Sequence, residues 1–119
     1  MQKPLISILT PFKNTSHYLT ECLDSIVNQT YKHWELLIID DHSTDESYNI
    51  VLAFAEKDKR IKLIKNSGQG IIEALRLAYS ESNGTYITRM DSDDIMHPEK
   101  LSVMLKDLQN HGKQHISLG

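Results

Sequence analysis

The feature that most constrains the fold of this chain is an alternation of short apolar runs with longer amphipathic ones, repeated along its whole length. Leu5-Ile6-Ser7-Ile8-Leu9-Thr10, ended by Pro11, and Trp34-Glu35-Leu36-Leu37-Ile38-Ile39-Asp40 are almost continuous in apolar residues. A strand covered by helices on both faces reads this way, since neither side meets water. Ile61-Lys62-Leu63-Ile64-Lys65 alternates and reads as a strand nearer an edge, and Tyr86-Ile87-Thr88-Arg89-Met90 is a fourth run of β character. Helices are predicted between them. The first runs from about Tyr18 to Asn28, behind caps at Thr15 and Ser16, with Leu19, Leu23, Ile26 and Val27 on one face. The second follows a capping-box spacing at Ser43-Thr44-Asp45-Glu46 and carries Tyr48, Val51, Leu52 and Ala55 inward to about Lys57. The third spans Ile71 to about Ser82 with Ile72, Leu75 and Tyr79 inward; the fourth has Pro98 in its first turn and runs to about Asn110 with Leu101, Met104, Leu105 and Leu108 inward, and His111-Gly112 stops it. His115-Ile116-Ser117-Leu118-Gly119 looks like the opening of a fifth strand. Strand and helix in alternation imply an α/β domain, Rossmann-like, with a mostly parallel sheet of order 3-2-1-4 and helices on both faces.

Composition narrows the function classes. At 119 residues the chain is a single domain, and no apolar run approaches a membrane span. The N-terminus Met1-Gln2-Lys3-Pro4-Leu5 lacks a signal-peptide core, so a cytoplasmic location is expected, compatible with a peripheral position at the cytoplasmic membrane. A net charge of −3 with both signs interspersed leaves no basic stripe for nucleic acid. The single cysteine, Cys22, rules out an internal disulfide and a multi-cysteine zinc site; its place in an amphipathic helix makes it a buried structural thiol.

The chemistry-bearing residues follow the strands. In an open parallel sheet, ligands bind outside the carboxyl ends of the strands where the strand order reverses. With order 3-2-1-4, the loops after strands one, two and four are neighbours there. These loops hold Thr10-Pro11-Phe12-Lys13-Asn14, Asp40-Asp41 and Asp91-Ser92-Asp93-Asp94, whereas strand three ends in the ordinary polar pair Lys65-Asn66. Three carboxylates within four positions repel one another unless a cation sits among them, and carboxylate oxygens suit Mg²⁺ or Mn²⁺. The plainer reading is a solvated acidic turn that caps the next helix. The neighbouring loops favour a site in which Phe12 stacks on a base, Asp41 accepts a base N–H and the acidic cluster reaches ribose and metal. Gly68-x-Gly70 lacks the third glycine of a dinucleotide fingerprint, Glu73 standing in its place, and is read as a turn.

Taken in order, Leu5 to Asn14, Ser25-Ile26-Val27-Asn28-Gln29-Thr30-Tyr31, Glu35 to Asp45, and Gly84-Thr85-Tyr86-Ile87 with Asp91-Ser92-Asp93-Asp94 and Pro98 resemble the family 2 glycosyltransferases of GT-A fold. The resemblance covers nearly the whole chain. It implies a nucleotide-diphospho-sugar donor, UDP-sugars being favoured, and a carbohydrate or lipid-linked acceptor. It implies nucleotide-binding roles for Pro11, Phe12, Asn14, Asp41 and Asp91, with Pro11 and Phe12 lining the base pocket and Asp41 contacting the base. Asp93, helped by Asp91, would hold Mn²⁺ or Mg²⁺ as the DxD motif. The implied reaction is an inverting transfer in which a carboxylate deprotonates the acceptor hydroxyl and the metal stabilises the departing diphosphate.

In that family the base lies beyond the DxD motif, in an acceptor-binding half. These 119 residues are therefore expected to form the donor-binding part of a longer enzyme, with no catalytic base and no transfer activity of their own, and with an open sheet edge that invites self-association. Two departures stand out. His42 occupies a position where glycine or asparagine is usual, and around Asn66-Ser67-Gly68-Gln69-Gly70 either Asn66-Ser67-Gly68 or Gly70 matches the family's Asn-x-Gly. The alternatives are a nucleotide-binding module without catalysis, a receiver domain, which would need acids after strand one and strand three, and a nucleotidyltransferase, which would need a glycine-rich loop after strand one.

Overall fold

β1 (Ile6–Phe12) is the central strand of a parallel sheet, with β2 (Trp34–Asp40) on one side and β4 (Tyr86–Arg89) on the other. β3 (Ile61–Lys65) pairs outside β2, and β5 (Ile116–Ser117) outside β4, which gives the order β3-β2-β1-β4-β5. This computed structural model describes residues 3–110 and 116–117, the side chains of 110, 116 and 117 excepted. The expected 3-2-1-4 order is thus observed, and all the described pairings are parallel. A receiver domain would instead follow 2-1-3-4-5. Of the expected fifth strand, Ile116 and Ser117 pair with Ile87 and Thr88; His115, Leu118, Gly119 and the expected helix stop at His111-Gly112 lie outside the described residues.

Side chains alternate across β1 as a strand requires. Ile6, Ile8 and Phe12 enter a core with Leu19, Leu23 and Ile26 of α1 (Ser16–Val27), Val51 of α2 (Ser47–Lys57), and Leu101 and Leu105 of α4 (Lys100–Asn110). Leu9 points the other way and joins Leu37, Ile39, Ala74 and Ala78, the alanines belonging to α3 (Ile71–Glu81). The expected face of α3 is therefore rotated. Ile72 is 65% exposed and Tyr79 55% exposed, while the small residues Ala74 and Ala78 are fully buried. Small side chains let the helix axis approach the sheet, so burial here follows fit and not hydropathy. On α2 likewise Leu52 faces solvent, and Ile50 and Phe54 pack against the core. The inward face of α4 is as expected.

The expected helix caps are replaced by ties between loops. Neither Thr15 nor Glu46 makes a side-chain cap bond, and the buried Thr15 hydroxyl has no partner among the described residues. Instead the carboxylate of Asp45 accepts from the N–H of Ser47 at 2.9 Å and of Ser16 at 3.3 Å, and the Thr15 N–H donates to Ser47 Oγ at 2.9 Å. Hydrogen bonds from Ser47 hold the Asp45 carboxyl down at about 2.

The opposite end of the sheet carries a buried polar knot. Glu35 Oε2 accepts from Ser7 Oγ at 2.6 Å and from the Asn83 N–H at 2.6 Å, and Glu35 Oε1 accepts from Lys62 Nζ at 2.9 Å. Gly84 completes it by donating its N–H to Ser7 Oγ at 2.8 Å. A Cβ on Gly84 would lie 2.4 Å from that oxygen, which is why the turn into β4 needs glycine. Among the described residues, no helix is long and apolar enough to cross a membrane.

Candidate functional site

The ends of three strands set the site. Phe12 pairs with Asp40 in register, and Asp40 with Lys65, so the residues that follow emerge along one edge of the sheet. There an open cleft of about 370 Å³ is lined by Pro11, Phe12 and Asp41 on one side and by Arg89, Asp91 and Asp93 on the other. Five of the six residues expected to bind nucleotide or metal are thereby brought together. Lys13, Thr15, Ser92 and Ile71 complete the lining. Ile71, from the first turn of α3, is an addition that no motif had singled out.

Phe12 is 2% exposed and is shared between core and cleft. Its ring is a rigid wall of the cleft. Asn14, the sixth expected residue, is not part of the lining. It sits in the left-handed region, at φ 51°, and its Oδ1 accepts the N–H groups of Thr44 at 2.8 Å and Asp45 at 3.2 Å. Asparagine tolerates that backbone conformation better than most residues. Its side chain therefore ties the loop after β1 to the loop after β2.

Asp40 and Asp41 divide their work. Asp40 is buried, and its Oδ1 accepts the Ser43 N–H at 3.0 Å, closing the turn. Asp41 faces the cleft; its Oδ1 accepts from Asn66 Nδ2 at 3.0 Å and from the Gly70 N–H at 3.1 Å. The loop after β3 is thus wired into the site, a correction to its reading as an ordinary polar end. Asn66 is 4% exposed and also accepts the Gly68 N–H at 3.1 Å. Gly70, at φ 91°, takes a backbone conformation that side chains disfavour. Both halves of the ambiguous Asn66 to Gly70 segment are therefore used. A lone asparagine at a strand end carries no pattern, and its three-way bonding is visible only in the fold.

His42 also adopts positive φ, 63°, and its Nε2 lies 2.7 Å from the Gly68 carbonyl oxygen. This accounts for the departure at that position. Glycine or asparagine meets a left-handed backbone cheaply, and histidine is among the residues enriched there.

The acidic cluster closes the other side of the cleft. Asp91, Asp93 and Asp94 are exposed, and each offers a carboxylate oxygen within 4.8 Å of the others. The Arg89 guanidinium lies 3.2 Å from Asp91 Oδ1, a partial neutralisation of the three charges. Hard oxygen donors converging on one point fit Mg²⁺ or Mn²⁺, both of which take ligands from carboxylates and from substrate phosphates. The negative field reaches into the core. Burial pushes the Cys22 thiol up to about 12, and the charges of Asp94, Asp93 and Asp91 add to the rise. Cys22 is the buried, inert thiol that its helix pattern suggests.

The acidic loop is held from behind by the end of α1 and the residues that follow it. Gln29 is fully buried; its Nε2 donates to the His97 carbonyl at 2.6 Å, and its Oε1 accepts the Leu101 N–H at 3.0 Å. Ser25 Oγ accepts the Met96 N–H at 2.9 Å, and the Thr30 N–H donates to the Pro98 carbonyl at 2.9 Å. These contacts explain the Ser25 to Tyr31 motif, which had carried the resemblance without a role.

Comparison with known proteins agrees with this geometry. An uncharacterized glycosyltransferase of Haemophilus influenzae is 42% identical over 113 residues, covering 93% of this chain and 45% of that protein. Glycosyltransferase GlyG of Streptococcus pneumoniae is 37% identical, covering 88% of this chain and 35% of that protein. The chain thus spans less than half the length of these relatives. Staphylococcus aureus TarS 1-349 in complex with UDP superposes with a TM-score of 0.82 at 26% identity, over 90% of this chain and 32% of that one. The mannosyltransferase PcManGT of Pyrobaculum calidifontis, in complex with GDP-Man and Mn²⁺, gives a TM-score of 0.82 at 25% identity, over 90% of this chain and 33% of that one. The model of the family described as "Glycosyl transferase family 2" matches residues 7–119, and the chain belongs to that family.

Proposed function

We propose that this chain is the donor-binding part of a glycosyltransferase and that its cleft holds a nucleotide-diphospho-sugar, with a UDP-sugar favoured. The observation that carries the reading is the facing of Phe12 and Asp41 against Asp91 and Asp93 across one cleft, with Asp94 beside those two in the acidic cluster. Pro11 and Phe12 wall the base, Asp41 accepts a base N–H, and Asp91 serves the ribose and metal side. Asn14 positions the base-side loop. Asp93, with Asp91, would hold Mn²⁺ or Mg²⁺, which supplies charge neutralisation for a diphosphate leaving group. Two structural neighbours support this donor class, one being a complex with UDP and the other with GDP-Man and Mn²⁺.

A transfer to an acceptor hydroxyl also needs a general base, and we assign none of these residues to that role. The base and the acceptor pocket belong to an acceptor-binding half beyond residue 119, consistent with the chain's spanning under half of its relatives. The acceptor is a carbohydrate or lipid-linked glycan; a related Bacillus subtilis protein, 35% identical, is named a putative teichuronic acid biosynthesis glycosyltransferase. Isothermal titration of the protein with UDP tests the donor site. Saturable binding that strengthens at least tenfold on adding Mn²⁺ is expected, and no saturable binding with Mn²⁺ present would overturn the assignment.

A further inference from the structure

The hydrogen bonds already present at Asp41 determine which base edge the cleft accepts. A carboxylate oxygen has two lone-pair sites. On Asp41 Oδ1 both are occupied, one by Asn66 Nδ2 at 3.0 Å and one by the Gly70 N–H at 3.1 Å. Oδ2 has no partner among the described residues, so a ligand in the cleft meets one free oxygen and not two. Asn66 cannot easily give way. It is 4% exposed, donates also to the Gly70 carbonyl at 3.3 Å, and accepts from the Gly68 N–H at 3.1 Å.

We propose that the Asn66 amide and the Gly70 N–H make Asp41 a single-acceptor reader, selective for a nucleoside diphosphate whose base offers one N–H. This rests on the donor-site reading above. Uracil suits it, with N3–H as its sole ring donor. Guanine presents N1–H and the 2-amino group side by side and matches a carboxylate only when both oxygens are open. In this cleft its amino group would face a saturated oxygen flanked by two other donors, and a donor left unpaired costs binding. Asn66 is thus a specificity-determining residue that acts through Asp41.

Base analogues test this on the unaltered protein, by calorimetry with Mn²⁺ present. UDP is expected to bind about tenfold or more tightly than 3-methyl-UDP, in which a methyl group replaces the N3 hydrogen. IDP, which lacks the 2-amino group, is expected to bind as tightly as GDP or more tightly, and UDP more tightly than either. GDP binding at least tenfold more tightly than IDP would overturn the proposal, because it requires two open acceptors. Equal binding of UDP and 3-methyl-UDP would overturn it as well, while leaving the donor site intact; no binding by any nucleotide would overturn the donor site itself. Asn66→Ala, checked for native circular dichroism, is expected to shrink the UDP-over-GDP preference at least threefold. A folded Asn66→Ala protein with unchanged preference would remove Asn66 from the account.

Discussion

The backbone N–H of Asp41 donates to the carbonyl of Phe12 at 2.9 Å, joining the loop after β1 to the loop after β2 beyond the last paired residues of the two strands. The aromatic wall and the carboxylate proposed to read the base are consequently one rigid piece. Asn14 adds side-chain bonds to Thr44 and Asp45 across the same seam, and Asn66 and Gly70 fix the carboxylate itself. A cleft assembled in this way keeps its shape before a ligand arrives, which lowers the ordering cost of binding.

Gln29 couples this site to the stability of the fold. Gln29→Ala would leave the buried Leu101 N–H without its partner and remove one of two donors to the His97 carbonyl, which keeps the Lys100 N–H at 2.9 Å. An unpaired buried group costs about 1–3 kcal/mol. Urea denaturation should show a loss of about 1–3 kcal/mol for this variant. Glu99→Ala, at an exposed side chain on the same loop, should stay within about 0.5 kcal/mol of wild type.

Glu35 gives the protein an acid-sensitive component of stability. Burial alone pushes its carboxyl up, but hydrogen bonds from the Asn83 N–H, the Ser7 hydroxyl and Lys62 outweigh that and leave it below the ordinary value. A carboxyl lowered on folding contributes fully above its unfolded pKa of about 4.3, and the contribution is lost as pH falls through the folded value. The urea midpoint of wild type should therefore fall more steeply below about pH 4.3 than that of Glu35→Gln. Parallel curves for the two proteins would contradict the role given to this knot.

The packing of α3 predicts opposite responses on its two faces. Ala78→Leu forces a large side chain between helix and sheet and should cost about 1–3 kcal/mol. Ile72→Glu and Tyr79→Glu, on the exposed face, should each change stability by about 0.5 kcal/mol or less. Thermal unfolding of the three variants distinguishes the observed face from the one that hydropathy suggests.

That helix also marks where the sequence is legible and where it is not. The almost continuous apolar runs at Leu5 to Leu9 and Trp34 to Ile39, alternating with amphipathic segments, read as buried strands, and the common 3-2-1-4 order of such sheets then brings Phe12, Asp41, Asp91 and Asp93 together. The face of α3 follows only in part: Leu75 packs against the core as its spacing suggests, but Ile72 and Tyr79 do not, because close approach to the sheet selects Ala74 and Ala78. Asn66, Gln29 and Glu35 are single polar residues that each bond a partner 25 or more positions away, and no local pattern reveals such bonds. Asn14 was legible as a residue of the site loop, but its contacts are to backbone and not to the cleft.

The central claim is that Asp93 and its neighbours hold a divalent metal beside a nucleotide diphosphate. Electron paramagnetic resonance of Mn²⁺ tests it directly, since the six-line signal of the free ion falls as the ion is bound. Adding the protein and UDP together should remove far more of that signal than UDP alone, and Asp93→Ala should restore at least 80% of it (roughly the change expected when a main carboxylate ligand is lost). Equal loss of signal with wild type and Asp93→Ala would contradict the account.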